Sequence, residues 1–161
     1  MYCDLGLNIP RRTKRRVSKR EPLPLAAGSF VNQGWALGFI HDVLYDGWRL
    51  RTLTVIDEAN REPLPIQVAQ SLPASMLIRT MDRLVDWYGP PLSMRMHNGP
   101  EMSSQDFVEW AERRRIALNY IEPGEPNQNA YIESFHRTFR TEVLDACLFN
   151  SIEQVQAITD D

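Results

Sequence analysis

Cysteine is almost absent: 161 residues include only Cys3 and Cys147, far apart and without metal-type spacing. This argues against a disulfide scaffold or a cysteine zinc centre and fits reduced thiols in a cytoplasmic protein. No run of 18 apolar residues occurs, so no segment reads as a membrane-spanning helix. The opening Met1-Tyr2-Cys3-Asp4 lacks the basic-then-apolar order of a secretion signal. Internal repeats and low-complexity tracts are also missing. Acidic residues are nearly missing from the first 20 positions, where Asp4 stands alone.

What is present is ordinary for one folded domain, with 43% hydrophobic and 24% charged residues. The charge is unevenly placed. Arg11, Arg12, Lys14, Arg15, Arg16, Lys19 and Arg20 are seven of the 18 basic residues. Against Asp4 they give residues 1–20 a net charge of +6, while the other 11 cations and 20 acids leave −9 on the remainder. A basic arm on an acidic body points to DNA as partner, contacted by the arm. The alternative is a solvated tail without a partner. Pro22, Pro24 and Gly28 continue the arm as a linker, so we read residues 1–34 as arm and linker and 35–158 as the folded domain.

From Trp35 the pattern becomes that of an α/β domain. Residues 35–44 read as a buried strand ending at an Asp46-Gly47 turn. Residues 49–57 alternate, with Leu53 and Val55 on one face and Leu50 and Ile56 on the other, and residues 65–69 make a third strand of an antiparallel meander. Met76, Leu77, Met81, Leu84, Val85 and Tyr88 then share one face of a helix, stopped by Gly89-Pro90-Pro91. A strand over 92–96 and a turn over 97–100 precede a helix capped by Ser103 or Ser104, with Phe107, Trp110 and Ala111 inward. Another strand spans 116–121. Residues 123–127 read as a loop that cannot be helical. Asn129 is the expected cap of a last helix burying Ile132, Phe135, Phe139 and Val143. The expected architecture is a mixed five-stranded sheet flanked by helices.

Functional side chains in such a sheet collect where strand ends meet helix starts: around Gly38, at His97-Asn98-Gly99-Pro100-Glu101, and over 129–140. The strings WALGFIHD, VIDEANRE, NGPEMSS, IEPGEPNQNAYIESFHRTFR and LFNSIEQVQ occur in that order. Together they resemble the core of insertion-sequence transposases whose catalytic domain is similar to retroviral integrases. The resemblance implies a ribonuclease-H-like fold and DNA strand cleavage and transfer, the chemistry of transposition and integration. It also implies an Asp-Asp-Glu triad holding Mg²⁺ or Mn²⁺, because paired cations stabilise the attacking and leaving oxygens at phosphorus. In the family pattern the first Asp lies in tryptophan-x-x-aspartate-phenylalanine; here Trp35-Ala36-Leu37-Gly38-Phe39 puts Gly38 there. The second Asp precedes the asparagine-glycine-proline-glutamate turn, where this chain has His97. The Glu is retained as Glu133, and 35 residues, 98–132, lie between positions 97 and 133 as the motif requires.

The spacing is intact and two acids are replaced, so the expectation is an inactive core that binds no metal tightly. Glu133 remains a weak ligand and His97 a doubtful one; restoring acids at 38 and 97 is expected to rebuild the triad. Asp42 shares strand parity with Gly38 but lies roughly 13 Å along the strand, and Asp57 and Glu101 have other places in the pattern. Glu133, Arg137 and Arg140 share a helix face; the two arginines are DNA-contact candidates, or else solvent charges pairing with Glu133 and Glu142. Arg113-Arg114-Arg115 fits a helix C-terminus. Trp35, Trp48, Trp87 and Trp110 are expected in or near the core. The resemblance also implies missing parts at both ends: an upstream helix-turn-helix and a downstream continuation. Three readings compete: an inactive remnant, a DNA-binding or interaction protein that joins an intact transposase or copies of itself, and a metal-dependent nuclease with an altered site. The expected location is the bacterial cytoplasm, on the nucleoid when DNA is bound.

Overall fold

The computed structural model of the chain describes residues 30–160, except 123 and 125. The basic run at 11–20 lies outside the described residues. Strand β1 (Gly34–Val43) pairs antiparallel with β2 (Arg49–Asp57) in one continuous register from Trp35 opposite Asp57 to Val43 opposite Arg49. The hairpin closes at Gly47, whose φ of 91° suits a glycine and few other residues. Along the outer edge of β2 run two short strands, β3 (Glu62–Pro63) and β4 (Gln67–Ala69). On its other side β1 pairs in parallel with β5 (Ser93–Met96), and β5 with β6 (Ala117–Tyr120). The sheet thus has six strands rather than five. The expected third strand over 65–69 is shortened to β4, since Pro65 has no N–H for the ladder, and β3 at 62–63 is the strand not expected.

Alternation in β1 and β2 divides the core. One face carries Trp35, Leu37, Leu53 and Val55. It is covered by α1 (Ala74–Tyr88), through Leu77, Met81, Leu84 and Val85, and by α2 (Gln105–Arg114), through Phe107, Trp110 and Ala111. Gly89 ends α1 with its N–H on the Val85 carbonyl, 2.9 Å away. Ser104 is the cap of α2: its hydroxyl accepts the Phe107 N–H at 3.3 Å. Arg113 and Arg114 lie in the last turn of α2, where the helix dipole favours cations, and Arg114 pairs with Asp82 at 2.6 Å.

The opposite face carries Ala36, Ile40, Leu50 and Ile56. It is covered by α3 (Ala130–Phe139) and by α4 (Ile152–Asp160) through Val155. Ile132 and Phe139 of α3 are buried, and Phe135 packs beside them. Beyond Phe139 the chain widens into a π turn over Arg140–Leu144, where the Asp145 N–H reaches the Arg140 carbonyl at 2.7 Å. Val143 still packs against the core.

Several expectations need correction. Trp35 and Trp110 are buried, but Trp48 and Trp87 are 60% and 65% exposed. Trp48 follows the hairpin turn, and Trp87 lies off the inward stripe of α1. The 123–127 segment is not free of helix: Pro126–Asn129 forms a 3-10 turn, a place a proline tolerates because the first N–H groups of a helix are unpaired anyway. Asn129 precedes α3, but its side chain caps nothing; it is 1% exposed, and neither its Oδ1 nor its Nδ2 finds a partner among the described residues.

Candidate functional site

Gly38 lies mid-strand in β1, opposite Thr54 of β2, with the parity of Ala36 and Ile40, and so faces α3. The β1–β5 register sets Ala36 opposite Arg95; carried two residues further, it brings Gly38 level with His97. Both residues line a cleft of about 840 Å³ that runs along β1 and β2 to Val43 and Arg49. His97 is exposed at the end of β5. Glu133 stands in the first turn of α3, half-buried, one residue after Ile132, whose side chain abuts the Gly38 position. Gly38 and His97 thus line one cleft, and Glu133 lies in the first turn of the helix that packs over Gly38.

The neighbour of Gly38 that the sequence did not announce is His136. A Cβ built on Gly38 would lie 2.5 Å from His136 Cε1, 2.9 Å from its Nε2 and 3.2 Å from Ile132 Cγ1. The first two distances are below any normal contact. His136 reaches this place because it lies one turn beyond Ile132 on the inward face of α3. Its Nε2 is 2.6 Å from the Thr54 hydroxyl, which in turn donates to the Gly38 carbonyl at 3.0 Å. With the single hydroxyl proton on the carbonyl, Thr54 accepts from His136, so the imidazole carries its proton on Nε2. Burial, followed by the nearby His97 and Arg140, lowers the His136 pKa from 6.5 to about 4. The ring is neutral near pH 7.

The other acids nearby are committed elsewhere. Glu101 is hydrogen-bonded and ion-paired to Arg51, and that hydrogen bond, outweighing the opposite effect of burial, holds its carboxyl below the usual range. Asp57 accepts the N–H groups of Asn32 and Ala59 at 2.7 and 2.9 Å and so fixes the end of β2. Asp42 pairs with Arg140 at 4.0 Å, and Arg140 also donates to the His41 carbonyl at 2.8 Å. The expected pairing of Arg140 with Glu133 or Glu142 is replaced by this link to β1. Arg137 is exposed and forms no ion pair among the described residues. Arg137 and Arg140 share a shallow depression with His136 and residues 39–41. On the same face Glu58 is buried, 3.1 Å from Arg95, and burial raises its pKa against the pull of that arginine.

The residues do not fit a paired-magnesium centre. Mg²⁺ takes oxygen ligands in near-octahedral geometry; position 38 offers none, and the space beside it holds a hydrogen-bonded imidazole. Among the described residues no three His, Cys, Asp or Glu side chains cluster closely enough to hold an ion. An acid at 38 would have to displace the His136 ring and break its bond to Thr54.

The comparisons with known proteins agree with this architecture. The integrase core domain family matches residues 29–126, more than half of the chain, and a second integrase core domain family matches 114–161. The chain belongs to the integrase core family. This integrase core is 37% identical over 161 residues to an uncharacterized protein of insertion element IS476 from Xanthomonas euvesicatoria, covering 100% of the chain and 46% of that relative. It is 34% identical over 158 residues to an uncharacterized protein of insertion element IS407 from Burkholderia multivorans, covering 98% of the chain and 57% of the relative. The chain thus spans about half the length of the curated relatives it matches. Among solved structures, the simian T-cell lymphotropic virus intasome aligns with a TM-score of 0.72 at 15% identity, over 94% of this chain and 53% of the other. The HTLV-2 integrase catalytic core domain in complex with magnesium aligns with a TM-score of 0.62 at 15% identity, over 80% and 82%. At such identity these two matches show the fold alone, and the fold is ribonuclease-H-like. No helix among the described residues is long and apolar enough to cross a membrane.

Proposed function

We propose that this integrase core derives from an insertion-element transposase and has lost DNA strand cleavage and transfer. On this reading Gly38, His97 and Glu133 are the three carboxylate positions, and only Glu133 is kept. The observation that carries it is Gly38 itself, which offers no oxygen donor at the first position and has the His136 ring packed against it. The basic arm of residues 1–34, with Arg137 and Arg140 beside the cleft, supports DNA as the remaining partner. The intact packing of both sheet faces supports a secondary role, in which the folded core joins an intact transposase and hinders it.

The test is incubation of the purified chain with an element-end duplex and Mg²⁺ or Mn²⁺. No strand cleavage or joining is expected, and calorimetry at millimolar Mg²⁺ should show no saturable heat. Reproducible metal-dependent cleavage that disappears in Glu133→Gln would replace this proposal with that of a nuclease using an altered site.

A further inference from the structure

We infer that His136 is the internal occupant of the position-38 site: its imidazole fills the volume any side chain at 38 would need, so residues 38 and 136 form one interlocked pair. The inference deepens the proposed loss of chemistry and rests on that reading only for naming position 38 a carboxylate position. The packing claim stands by itself.

Three observations carry it. The backbone does not require glycine at 38, because its φ lies outside the left-handed region that marks Gly47, Gly89 and Gly124. A β-strand accepts any L-residue there, and an interior strand glycine then signals close approach by another group. That group is His136, at 2.5 and 2.9 Å from the Cβ position, with Ile132 at 3.2 Å as the second wall. The ring is also fastened rather than merely adjacent, through Thr54 and on to the Gly38 carbonyl.

The two replaced acids are therefore unequal. His97 is exposed on the cleft and can be exchanged without moving a neighbour. Position 38 can take a side chain only if the His136 ring turns aside and gives up its bond to Thr54. Recovery of a carboxylate site consequently costs a displacement of His136 as well as changes at 38 and 97, and a smaller residue at 136 removes that cost.

The experiment is a thermodynamic cycle on the full chain with Gly38→Ala, His136→Ala and the double variant, read as thermal unfolding midpoints. Gly38→Ala alone should lower the midpoint by about 3 °C or more. In the His136→Ala background the same change should leave it level or raise it, since alanine is less costly than glycine in a strand. A variant that fails to fold with His136 present but folds in the double variant supports the pair. An equal loss in both backgrounds, or no loss in the native one, overturns it. In the unmodified protein, NMR should show a nuclear Overhauser contact between the His136 Hε1 and Gly38 Hα protons; its absence would also overturn the inference. Neither readout depends on the outcome of the cleavage assay.

Discussion

Acidification should find the weak point of this domain at His136. Folded His136 has a pKa of about 4, whereas the unfolded chain binds that proton near 6.5. A folded pKa below the unfolded one means that the native state resists protonation. The stabilisation is complete above pH 6.5 and is lost as the pH falls toward 4. A gap of about two and a half pH units corresponds to a ceiling of about 3 kcal/mol. Partial solvent access at the ring lowers that to about 2 kcal/mol. Protonation adds a charge beside His97 and Arg140, the two groups that already disfavour it, and sets it against a half-buried apolar wall. Urea unfolding at intervals from pH 7.5 to 4 would be compared between the native chain and His136→Gln, which keeps a hydrogen-bonding side chain but cannot titrate. Carboxylates shared by both proteins cancel in the difference. The native protein should lose about 2 kcal/mol relative to the variant across this window. A difference that stays flat from pH 6.5 to 4 would refute the buried, neutral placement of the ring.

Arg95→Met should cost about 3 kcal/mol at pH 7 in denaturant titration, because it strands the buried Glu58 carboxylate. Burial raises the folded pKa of Glu58, so that penalty should shrink as the pH falls and the carboxyl protonates, and Glu58→Gln in the same background should recover much of it. Deleting residues 1–20 should remove most DNA affinity while leaving the unfolding midpoint unchanged. With about five of the seven arm cations on phosphates, log K should fall with log salt at a slope of about −4 to −5. Retained affinity in the armless protein would shift the DNA contact to Arg137 and Arg140.

The period of the apolar residues was enough to set the main strands and helices and most of their inward faces, Tyr88 being 44% exposed. Leu53 and Val55 separate from Leu50 and Ile56 because side chains alternate along a strand, and Leu77, Met81, Leu84 and Val85 fall on one helix stripe for the corresponding reason. Ser104 was legible as a cap because its hydroxyl needs only local geometry to reach the third N–H. The motif order likewise put Gly38 and His97 on adjacent strands lining one cleft, since strand register carries over with the motif. Trp87 was legible as off the α1 stripe and Trp110 as on the α2 one, but local sequence could not say how far Trp48 would be exposed. Nor could it say that Asn129 would be buried without acting as a cap, which depends on how the 3-10 turn delivers the chain into α3.

What the sequence alone determined is chemical identity along a periodic chain: the basic arm, the amphipathic faces, the ordered motif and the two missing acids. What only the tertiary structure decided is which group stands in the space those acids left. His136 and Gly38 are 98 positions apart, and only the docking of α3 on β1 brings them into contact. A glycine inside a strand hinted that something approaches closely, but the sequence holds no record of which residue does. Excluded volume acts between neighbours in space, and neighbours in space are set by how helix and sheet pack.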